Sequence, residues 1–154
     1  MTRTKIALFA IPILATIMVV ATIPPVFAPG FEVEIDVKPG SDPNSVNTNS
    51  KGVLPVAILG SEIFDVTQID QSSIFAYTTS VDFIFDAWVT FPLRCSVEDV
   101  NDDGILDLNC KFLKGDLMLD CWTNGIIVSG TLVSSGISFA GSDTIRPVPC
   151  ENDL

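Results

Sequence analysis

The 154-residue chain contains no histidine. That removes the commonest general base near neutral pH and the imidazole ligand that transition metals usually take. Without it no Ser-His-Asp set can be assembled. Positive charge is scarce, with eight Lys and Arg against nineteen Asp and Glu and a net charge of −11. Nucleic acid and anionic lipid both call for clustered Lys and Arg, so neither is expected as a partner. No pair of cysteines has the C-x-x-C spacing of a structural zinc site: Cys95, Cys110, Cys121 and Cys150 stand 15, 11 and 29 residues apart. No stretch carries a convincing amphipathic helical stripe.

What the chain does have begins with an export signal. Arg3 and Lys5 precede an apolar run from Ile6 to Ile23, and Val26-Phe27-Ala28 resembles a small-x-small cleavage site. Residues 1–28 are read as a signal peptide and 29–154 as one secreted domain. The alternative is an uncleaved anchor, since a run of that length just spans a bilayer. No other membrane segment is expected. The exported part has nineteen acids against six bases, a net −13. At about 126 residues it can build one real core. Four cysteines outside the cell read as two disulfides.

The exported part reads as strands and turns. Phe31, Val33, Ile35 and Val37 alternate with Glu32, Glu34 and Asp36, the pattern of a half-exposed strand. Lys38–Ser45 then has turn chemistry. Gly52–Gly60 is a continuous apolar run suited to a buried strand, and Pro55 within it implies an edge or a bulge. Short strands are expected at 64–69 and 73–77, and a long alternating one at 81–91. Later strands are expected at 93–97, 106–112, 125–133, 137–140 and 144–148, with turns at 134–136 and 141–143. Regular short strands with turns between them predict an all-β fold, an antiparallel β-sandwich.

The stretch from Glu98 to Phe112, EDVNDDGILDLNCKF, carries the most specific chemistry. Asp99, Asn101, Asp103 and Asp107 fall at positions 1, 3, 5 and 9 of a loop, with Gly104 at position 6. Ile105 at position 7 offers its backbone carbonyl. A hard cation such as Ca²⁺ takes six to eight oxygens, and these residues with water supply that kind of set. Cys110 replaces the glutamate that an EF-hand has at position 12, and the run DLNCKFL (107–113) alternates like a strand. The spacing therefore predicts a calcium-type loop closing a β-hairpin. The bland alternative is an acidic hairpin turn. If Glu98 lies opposite Asp107, Cys95 lies opposite Cys110 on the apolar face of that hairpin. This predicts a Cys95–Cys110 bridge and leaves Cys121 for Cys150.

IDVKPGSDPNS (35–45), KGVLPVAILGSEIFDV (51–66), EDVNDDGILDL (98–108) and FAGSDTIRPV (139–148) together resemble a family of small exported archaeal and bacterial β-domains. The resemblance implies a secreted or surface β-domain with a calcium-type loop, often appended to larger surface proteins.

The expected function is a secreted or cell-surface calcium-binding structural or adhesive module without catalysis. An active site would have to be built from carboxylates. Asp82 and Asp86, four apart on a strand, stand ~13 Å from each other, too far for glycoside chemistry. One alternative is a calcium-assisted glycan-binding module, with Trp88, Trp122 or Tyr77 stacking on a sugar ring. Those aromatics read more simply as core. The other is an envelope or filament subunit that joins other surface proteins by strand addition, using the N-terminal strand.

Overall fold

Acid–apolar alternation sorts the side chains of residues 31–37 as expected, because Val33, Ile35 and Val37 are buried while Glu32 and Glu34 are exposed. It does not make one strand. A computed structural model describes residues 30–80 and 89–150. In it, β1 (Phe31–Glu32) lies parallel to a late strand of one sheet, while β2 (Ile35–Val37) joins the other sheet. The chain changes sheets at Val33 and Glu34. Val33 N–H donates to the Ala140 carbonyl (3.0 Å) and Glu34 accepts from Leu59 N–H (2.9 Å). A period-two pattern reports the face each residue shows, not which neighbour its backbone bonds, so the crossing leaves no trace in it.

The remaining strands are β3 (Ser45–Asn47), β4 (Val53–Ile58), β5 (Phe75–Ser80), β6 (Arg94–Glu98), β7 (Asp107–Leu113), β8 (Thr123–Thr131), β9 (Ser138–Thr144) and β10 (Arg146–Val148). One four-stranded sheet has the order β1-β9-β8-β5, the other β2-β4-β7-β6, and β10 and β3 form a short parallel pair. The inner faces interdigitate into one core. Leu54, Val56 and Ile58 of β4 and Leu108, Cys110 and Phe112 of β7 meet Ile126, Val128 and Phe139 from the other sheet. Phe64 packs edge-on to Phe139 with ring centroids 5.5 Å apart, and against Phe31 at 5.6 Å. The all-β sandwich is the observed fold.

Several local expectations are corrected. Pro55 is not at a sheet edge, since β4 lies between β2 and β7 and Pro55 pairs with Lys111. It is tolerated because β2 has ended at Val37. Lys38 N–H still donates to the Pro55 carbonyl (2.8 Å), and the Lys38 carbonyl takes Ser41 N–H (3.1 Å) instead of the donor that proline lacks.

The run 64–69 is not a strand but a 3-10 turn at Val66–Gln68. Asp65 caps it by accepting from Thr67 N–H (2.9 Å) and Thr67 Oγ1 (2.7 Å). Those bonds, the hydroxyl first, hold the Asp65 carboxyl below its usual pKa. Asp70 caps a second 3-10 turn, Gln71–Ser73, so β5 starts later than expected. Short polar side chains that bond the backbone two residues on outweighed the apolar spacing here.

Residues 141–143 do not turn; β9 runs through them. Gly141 is there because Val33 crosses directly above it: a Cβ would stand 2.4 Å from the Val33 carbonyl oxygen. The segments 1–28 and 81–88 fall outside the described residues. Beyond them, Thr90 pairs with Ala76 of β5 through two backbone bonds of 2.8 Å. Among the described residues no helix is long and apolar enough to cross a membrane.

Both expected disulfides are present, Cys95–Cys110 and Cys121–Cys150. They suit an oxidising, extracellular-type compartment. The β6–β7 register is the expected one, with Glu98 opposite Asp107 and Cys95 opposite Cys110.

Candidate metal-binding loop

Residues 99–106 connect β6 to β7, and the loop is wound by its own side chains. Asp99 accepts from Asp103 N–H (3.2 Å) and Gly104 N–H (2.9 Å) through its two carboxylate oxygens. Asn101 Oδ1 shares the Asp103 N–H at 3.1 Å. Asp103 Oδ1 accepts from Ile105 N–H (2.8 Å), and its Oδ2 accepts from the Asn101 amide (2.9 Å). The side chains at positions 1, 3 and 5 are thus gathered on one small coil. Such a coil needs a backbone sense reversal, which Asp102 (φ 60°) and Gly104 (φ 85°) supply.

Asp107, at position 9, also holds backbone, but of two segments. It is fully buried, and its oxygens accept from Gly60 N–H (2.8 Å) and Val100 N–H (2.9 Å). It fastens the first turn of the loop to the end of β4. Gly60 makes that approach possible, since a Cβ there would lie 2.2 Å from the Leu106 carbonyl oxygen. The five expected ligands therefore divide. Asp99, Asn101 and Asp103 come together and are exposed, Ile105 is partly buried beside them, and Asp107 anchors the base.

Among the described residues no group of three His, Cys, Asp or Glu side chains converges as a metal cluster. The donors that do gather are two carboxylates and one amide. All are hard oxygens, which suit Ca²⁺ or Mg²⁺ and not a thiolate- or imidazole-seeking metal. Asn101 presents its amide nitrogen toward Asp103. A cation would need the amide oxygen in that place; turning the amide gives up the Asn101 Oδ1 bond to Asp103 N–H, a donor that Asp99 Oδ1 also accepts from.

A second acidic site was missed by reading the sequence. Asp143 Oδ2 accepts from Val37 N–H (2.9 Å) and from the Asn44 amide (2.8 Å), and its Oδ1 accepts from Thr144 N–H (2.7 Å). It fastens the loop after β2 to the end of β9. Asp36, Asp42, Asn44 and Asp143 line a recess of about 460 Å³. Burial, and then the neighbouring Asp143 charge, push the Asp36 carboxyl above its usual pKa. The signal lay in two of the chain's motifs: IDVKPGSDPNS (35–45) and AGSDTIRP (140–147) are the two halves of this clamp. Spacing alone could not show that residues about a hundred apart meet.

The aromatics also depart from expectation. Trp122 is not core but 61 % exposed, in the segment beyond the far end of β7. Tyr77 is half-buried on the outer face of β5, stacked on Phe75 with centroids 6.3 Å apart. It lines a recess of about 470 Å³ with Glu32, Ser129 and Ser142. Trp88 lies outside the described residues. Comparison with protein-family models, curated proteins and solved structures found no match for this chain.

Proposed function

We propose that the protein is an exported, calcium-binding structural or adhesive module that performs no turnover. The observation carrying this reading is the coil of 99–106, in which Asp99, Asn101 and Asp103 all accept from the loop's own backbone N–H groups, those of Asp103, Gly104 and Ile105. With the acids gathered and no lysine or arginine in the loop, a divalent cation is the simplest neutralising partner. Asp99, Asn101 and Asp103, with the Ile105 carbonyl, would hold it. Asp107 would fix the coil to β4. Bound Ca²⁺ would supply only electrostatic closure of the hairpin.

Thermal unfolding in EDTA and in millimolar Ca²⁺ tests the reading. Extracellular calcium modules bind at about 10⁻⁴–10⁻³ M, and saturation 100-fold above Kd stabilises by about 2.7 kcal/mol. The expected result is a higher midpoint in Ca²⁺, abolished in Asp99→Ala and Asp103→Ala. A midpoint indifferent to Ca²⁺ in the native chain rejects the cation.

One observation favours a glycan as the adhesive partner. The recess beside Tyr77 sets an aromatic ring among hydroxyl-seeking groups, its serines and Glu32, and Trp122 is a separate exposed ring. Retention on immobilised polysaccharides, lost in Trp122→Ala or Tyr77→Ala, is the expected outcome of that reading.

A further inference from the structure

The outer edge of β6 has a geometry that selects its own partner. Among the described residues β6 is the last strand of its sheet, and Val97 is 42 % and Leu93 58 % exposed. The Cys95 and Cys110 Cα atoms lie 4.1 Å apart, the spacing of a pair that does not exchange backbone hydrogen bonds. Arg94, Ser96 and Glu98 are therefore the residues of β6 whose backbone bonds β7, and Leu93 N–H just before them donates to the Lys111 carbonyl (2.8 Å). The N–H and C=O groups of Cys95 and Val97 point away from the sheet, a ladder with no partner strand among the described residues.

Charge along this edge is polarised. Arg94 stands beside Lys111, its cross-strand partner, so one end is basic. Glu98 and the acidic loop that starts at Asp99 make the other end negative. Turned antiparallel, the edge complements itself.

We propose that β6 is a self-pairing edge, joining two copies antiparallel about a two-fold axis at Ser96. Cys95 then exchanges both backbone bonds with Val97 of the second copy, and the reverse. That uses the outward groups and leaves Ser96 facing Ser96 without bonds, as the alternation of an antiparallel ladder requires. The same register sets Arg94 opposite Glu98 of the second copy, twice. Val97 covers the neighbouring disulfide on the inner face. The two sheets become one, eight strands wide. The contact is isologous, so it closes at two copies. An edge five residues long is a small interface, and the dimer is accordingly a concentration-dependent one. The pairing needs no cation at the loop.

Sedimentation equilibrium of the purified protein at about 0.15 M salt tests it. The native chain is expected to show a monomer–dimer equilibrium. Arg94→Glu sets four acids along the edge and should weaken association by about tenfold or more. The swap Arg94→Glu with Glu98→Arg should restore it. Ser96→Cys should give a covalent dimer on mild oxidation, faster than Ser135→Cys, an exposed control on the β8–β9 turn. A native chain still monomeric at about 1 mM overturns the proposal. So does a dimer indifferent to Arg94→Glu, a swap that fails to restore association, or a Ser96→Cys chain that cross-links no faster than the control.

Discussion

Single carboxylates in this protein do opposite things, and burial with hydrogen bonding decides which. Asp107 is buried with both oxygens serving backbone donors. Asp107→Ala would strand two N–H groups away from water, with an expected loss of about 2–5 kcal/mol. Urea unfolding measures it, and Asp107→Asn should recover part by keeping one acceptor. Asp36 behaves in the reverse sense. Its folded pKa is raised by burial and by Asp143, so the folded state disfavours its charge. Its contribution is fully present below the unfolded pKa and is lost as pH rises through the folded value. Asp36→Asn should therefore raise the thermal midpoint at pH 7, and the advantage should vanish toward pH 3. Equal midpoints at pH 7 would show that Asp36 is not held near Asp143. Neither role was legible in the sequence. Asp107 read as a cation ligand, and Asp36 as one acid in a solvent stripe. The spacing gave position along the strand, whereas the partner groups came from β4 and β9.

The β6–β7 hairpin is the element in which sequence and structure agree most closely. Its two apolar faces, the acidic turn and the cysteine positions all constrain one register, and a one-residue slip would have put the two cysteines on opposite faces. By chain entropy its disulfide is worth about 3 kcal/mol and Cys121–Cys150 about 3.5 kcal/mol. Cys95→Ala with Cys110→Ala should lower stability by about the former amount, read by denaturant unfolding. It should also weaken Ca²⁺ binding, because the bridge fixes the strands that carry the loop. Gly60→Ala attacks the same loop from β4. A methyl group there must displace the backbone at Leu106, so the variant should lose stability and Ca²⁺ response together. If Gly60→Ala unfolds like the native chain, β4 does not support the loop. Elements with a single source of information were harder to read. The 64–69 run showed apolar spacing and no register partner, and its capping Asp65 settled the conformation locally.

At the scale of the whole molecule, a net charge of −11 without histidine works against compactness in the absence of counterions. Sodium chloride should raise the midpoint modestly by screening. Ca²⁺ at equal ionic strength should raise it more, since the loop gathers charge at one place. Equal effects of the two salts would reduce the cation to a screening ion. Sandwich topology itself was legible only as a class. Period-two patterning cannot show that β1 and β2 serve different sheets, or that β10 returns to lie along β3. The return has a mechanical meaning. β1 runs parallel to β9, so a pull on the N-terminal side of Phe31 against a load beyond Cys150 slides the two strands lengthwise. Their bonds and those of the Val33 crossing are then strained together instead of opening one at a time. The Cys121–Cys150 bridge closes β8, β9 and β10 into a covalent ring that tension cannot lengthen. Under drag the molecule is a shackle: residues 121–150 cannot be drawn out and act as a closed link, so the extension is taken up by the strands before them.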